Sequence, residues 1–79
     1  MKIDEIYKAL DNFDTGLRDK AALARRTAKR AHLDNNTTKR DKFNSVARVY
    51  EMTIADLGPL LLELYGHTSE AFRDDQIPF

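Results

Sequence analysis

Phe43, Ala47, Tyr50, Ile54, Leu57, Leu61 and Leu64 recur at alternating steps of four and three. That spacing places all seven on one side of an α-helix. The stripe lies within Phe43–Tyr65 and is the largest apolar face of the chain, so other segments must pack on it to leave water. A second stripe keeps the same rhythm with small side chains: Leu17, Ala21, Ala24, Ala28 and Ala31. Alanine has high helix propensity and lets a neighbouring helix approach closely. The pattern predicts that the alanine edge nests against the bulky edge.

The remaining spacing sets the other elements. Ile3, Ile6, Leu10 and Phe13 predict a first helix over Lys2–Phe13, with Asp4 and Glu5 in the turn where the helix dipole favours acids. Asp14-Thr15-Gly16 breaks the pattern, and Asp14 or Thr15 can cap a second helix over Leu17–Leu33. Asp34-Asn35-Asn36 predicts a turn, because Asn and Asp tolerate left-handed backbone. Asn36 or Thr37 then caps a third helix from about Thr38 to Leu57. Gly58-Pro59 interrupts it, since proline lacks the ladder donor. A short fourth helix follows from Pro59, with Gly66 as its C-cap. The apolar phase runs through Gly58-Pro59, so one kinked helix is an alternative; a break near Met52 with Thr53 as cap is another. In the tail His67–Phe79, Thr68 or Ser69 caps one turn through Phe72, and Gln76–Phe79 is extended. Phe72, Ile77 and Phe79 are expected to dock, covering apolar residues outside the main seams.

The expected fold is all-α: a small antiparallel helical bundle of three main helices, a short C-terminal helix and a tail, forming one domain over residues 1–79. A core this small supplies about 3–5 kcal/mol without a staple, and with no cysteine in the chain neither a disulfide nor a thiolate metal site is available. No run approaches a membrane span. The N-terminus MKIDEIYK has no apolar h-region, so the expected setting is cytoplasmic.

Charge changes the picture more than composition does. The chain is neutral overall, yet residues 1–16 carry net −2, residues 17–48 net +7 and residues 49–79 net −5. Ten cations crowd the middle segment. Arg18, Arg25, Arg26, Lys29 and Arg30 lie off the alanine stripe, and Lys39, Arg40, Lys42 and Arg48 follow the turn. An antiparallel hairpin gathers Arg26, Lys29 and Arg30 with Lys39, Arg40 and Lys42 at one pole, while Asp11, Asp14, Asp56 and Glu63 fall toward the other. Lys29, Arg30 and His32 complement the dipole at a helix C-terminus. Lys39, Arg40 and Lys42 sit at a helix N-terminus, where cations are locally unfavourable, and such exceptions tend to mark function.

Site chemistry is sparse. His32 and His67 stand apart, Ser45 and Ser69 have no nucleophile context, and no HExxH or Gly-rich phosphate loop is present. Asp74 and Asp75 are adjacent without further ligand spacing. The expectation is a non-enzyme with no cofactor and no metal. The basic pole is expected to contact nucleic-acid phosphates through Arg18, Arg25, Arg26, Lys29, Arg30, Lys39, Arg40, Lys42 and Arg48. No aromatic residue interleaves with them, which argues against single-strand stacking. The alternative is a small phage-type inhibitor or adaptor binding a host nucleic-acid-handling protein such as a CRISPR effector. Leu23, Val49, Met52, Leu60 and Leu62 lie outside the seams and favour self-association, so a homodimer is a third expected partner.

Overall fold

The computed structural model describes residues 2–76, with side chains through Asp74. Two long helices, α1 (Ile3–Leu33) and α2 (Thr37–Gly66), are followed by a short α3 (Glu70–Gln76). Tyr7 meets Tyr65, Arg25 meets Glu51, and His32 meets Arg40. Partner numbers fall along α2 as they rise along α1, so the two helices form an antiparallel hairpin.

The hairpin closes through a three-residue turn. Asn35 is left-handed, with φ 59°. Its N–H donates to His32 O at 3.1 Å, and the Asn36 N–H donates to Ala31 O at 2.8 Å. These are the two crossed bonds of a Schellman motif, which satisfy the last carbonyls of α1. The Asn36 side chain then accepts the Lys39 N–H at 3.1 Å and caps α2.

The alanine edge does what its spacing requires. Leu17, Ala21, Ala24, Ala28 and Ala31 are buried on α1, and Ala47 is fully buried on α2. The bulky residues Phe43, Tyr50, Ile54, Leu57, Leu61 and Leu64 straddle this ridge and are only half-buried. With no third long helix over them, each is covered from one side.

Two expected breaks are absent. Asp14-Thr15-Gly16 lies inside α1, so Lys2–Phe13 and Leu17–Leu33 are one helix. The Asp14 side chain accepts from Arg18 Nε at 2.8 Å instead of capping, and the Thr15 hydroxyl donates to Asp11 O. A single glycine costs a helix only about 1 kcal/mol, less than the continuous seam returns. Gly58-Pro59 likewise lies inside α2, matching the single-helix alternative. The hairpin thus has two long helices where three main helices were expected. Gly66 is the last residue of α2, with His67 in the C-cap position.

α3 closes the open end. Ser69 caps it, its Oγ accepting the Phe72 N–H at 3.1 Å. Its own N–H and hydroxyl donate to the Asp4 carboxylate at 2.8 and 2.7 Å. Phe72 meets the Tyr7 ring edge-on at 5.7 Å between centroids. Phe72 therefore docks as expected. The helix runs on to Gln76, which the sequence placed in an extended stretch. Ile77 and Phe79 lie outside the described residues.

Candidate interface at the hairpin end

The end where α1 hands over to α2 is built from the last two turns of one helix and the first turn of the other. Arg26, Thr27, Arg30, Ala31 and Asp34 from the α1 side meet Asn36 and Lys39 around a concavity of about 290 Å³. Arg26 and Lys39 thus share one pole. The first turn of α2 contains no acidic residue, so the helix dipole adds positive potential to theirs.

The cations differ in what holds them. Arg40 is engaged locally: its Nε donates to Asp41 at 3.0 Å and its Nη1 lies 3.2 Å from His32 Nδ1. Arg30 faces Asp34 at 3.6 Å, with both side chains mostly exposed, a pair worth little. Arg26, Lys29, Lys39, Lys42 and Arg48 have no ion-pair or hydrogen-bond partner from their side chains among the described residues. Unpaired long cations are the groups free to take a phosphate oxygen.

Three of the nine sequence candidates sit elsewhere. Arg25 is held across the hairpin, its Nε and Nη2 on the Glu51 carboxylate and its Nη1 on Asn44 Oδ1 at 3.0 Å. This hydrogen-bonded pairing raises the Arg25 pKa and holds Glu51 below the usual carboxylate range. Arg25, Asn44, Ser45, Arg48 and Glu51 line a shallow polar flank, where Arg48 is the cation left over. Arg18 pairs with Asp14, about 24 Å along α1 from the turn at 1.5 Å per residue. The structure therefore gathers Arg26, Lys29, Arg30, Lys39, Arg40 and Lys42 at the end, sets Arg25 and Arg48 on its flank, and leaves Arg18 in the far half.

Asn36, one of the polar turn residues expected to serve beside the cations, is brought into the site. It both caps α2 and lines the concavity, which places a polar amide beside Arg26, Arg30 and Lys39. Its signal was the Asn-Asn pair at the turn. At the opposite end the Tyr7 hydroxyl pKa is raised, first by burial and then by Asp11 and Tyr65. Among the described residues no helix is long and apolar enough to cross a membrane. No protein-family model matches the chain, and no significant similarity to a curated protein or to a solved structure was found.

Proposed function

We propose that this chain is a small non-enzymatic binding protein whose hairpin end engages nucleic-acid phosphates in the cytoplasm, as a regulator would. The observation that carries the reading is the convergence of Arg26, Arg30 and Lys39 on one concavity, with Lys29, Lys42 and Arg48 unpaired nearby. Residues 20–52, which form the closed half of the hairpin, carry net +6, and the remainder carries −6. A positive pole of this kind draws polyanions by releasing their condensed counterions. The donors are lysines, arginines and one asparagine, which suit backbone oxygens and carry little base readout. Titration of labelled duplex DNA and RNA into the protein at rising salt tests it. Three to five neutralised phosphates give a log–log slope of about −2.7 to −4.5 on duplex DNA; no affinity at low salt would refute it.

The net −6/+6 segregation supports a second reading from another class. The protein is then an inhibitor or adaptor for a nucleic-acid-handling protein, its positive pole on an acidic groove or its acidic end in a basic channel. A sequence pI near 6.7 fits this reading better than an autonomous DNA binder. Co-purification of one host protein without nucleic acid would select it.

A further inference from the structure

We infer that two copies of this chain pair through one flank of the hairpin, antiparallel, to make a four-helix assembly. The two long flanks differ in kind. One carries the Arg25–Glu51–Asn44 cluster. The other holds a groove lined by Leu23, Phe43, Val46 and Tyr50, with Lys20 at its edge. On this side Phe13, Leu23, Val49 and Leu60 are 52, 58, 63 and 44% exposed. Phe13, Lys20 and Thr27 repeat at seven residues on α1, and Val46, Thr53 and Leu60 do so on α2. The flank is thus one continuous stripe along both helices.

Area indicates what covers it. The accessible surface is 6124 Å², whereas a compact monomer of 9.1 kDa exposes about 4,900 Å². The excess, about 1,200 Å², exceeds the roughly 800 Å² that each partner buries in a standard interface.

Charge selects the orientation. Side by side in the same sense, two +6 poles would meet; antiparallel, each +6 half lies along a −6 half. A two-fold axis at the middle of the stripe crosses α2 near Met52 and Thr53. Lys42 then comes level with Glu63 of the second copy, and Val46 with its Leu60. Lys20 lies near the axis, where its stem can rest on apolar surface with the ammonium at the rim. Lys29 and Arg48, on the other flank, stay open to phosphates. The inference does not depend on nucleic-acid binding.

Light scattering on the eluted full chain, at about 100 μM without nucleic acid, is the test. The expected mass is twice 9.1 kDa. Leu23→Glu with Val49→Glu is expected to return the mass to that of one chain with helical circular dichroism kept, because both side chains are exposed in the single hairpin. Lys42→Glu is expected to weaken the dimer about tenfold, and adding Glu63→Lys to restore it. A wild-type monomer at this concentration, a double-glutamate variant that stays dimeric, or no rescue by the charge swap would each overturn the proposal.

Discussion

Arg25 on α1 grips Glu51 on α2 through two guanidinium nitrogens, joining residues 26 positions apart. The grip ties the helices together and neutralises one cation beside the basic pole. Arg25→Ala and Glu51→Ala should each destabilise the hairpin modestly, and a double-mutant cycle should show that the two losses are coupled. Arg25→Ala should leave nucleic-acid affinity within about twofold. A larger loss would mean that Arg25 leaves Glu51 for a phosphate.

Asp14 should be dispensable for folding. It is buried on the alanine seam, and its Oδ1 has no hydrogen-bond partner among the described residues. Arg18, its partner among the described residues, is mostly exposed and loses little when released. Asp14→Leu should raise stability by about 1–2 kcal/mol in urea unfolding, since a buried charge gives way to apolar packing. A loss of similar size would show that Oδ1 has a partner such as an ordered water.

The middle of α2 should also be improvable. Gly58 has open space around a built Cβ, so Gly58→Ala should add about 0.5–1 kcal/mol. Pro59 lies inside the helix and forfeits one ladder bond. Pro59→Ala should add up to about 3 kcal/mol, read as a rise in thermal midpoint. If Pro59→Ala lowers the midpoint, the helix needs a bend at that point.

Acid should release α3. The Asp4 carboxylate is held below its ordinary value of 3.8, first by the Ser69 hydroxyl and then by the Ser69 amide. The folded pKa is the lower one, so the stabilisation is complete above pH 3.8 and fades as pH falls through the depressed folded value. NMR should show the Ser69 amide and the Asp4 carboxyl titrating together, with the Phe72 ring losing its ring-current shift from Tyr7. Asp4→Asn should weaken the α3 contact at neutral pH. A Ser69 amide that does not respond to acid would contradict this.

What the sequence made legible was mostly local. Asn35 and Asn36 announce a left-handed turn and a cap by residue type alone, and both roles are filled. The alternating four-three steps of the two stripes set which edges meet. The breaks at Asp14–Gly16 and Gly58-Pro59 were misleading because a local penalty of one to three kcal/mol competes with a seam running the full helix. The clue was phase: Leu10 and Leu17 are seven residues apart, so the seam continues through Asp14. The Asp4–Ser69 clamp spans 65 positions, and the Arg25–Glu51 grip spans 26. No periodicity reports such pairings. The half-exposed state of Phe43 and Tyr50 was hidden for a similar reason, because a stripe shows which face turns inward but not how many helices cover it.

The decisive measurement compares three proteins in a fluorescence-anisotropy titration with one labelled DNA duplex at low salt: the wild type, Arg26→Glu with Lys39→Glu, and Arg18→Glu. Arg26 and Lys39 line one concavity, and Arg18 stands eight residues, about 12 Å, back along α1 from Arg26. The paired reversal should weaken binding at least about a hundredfold and flatten the salt slope by about two, while Arg18→Glu should change affinity less than about fivefold. Equal losses from both variants, or a wild type that does not bind, would contradict it.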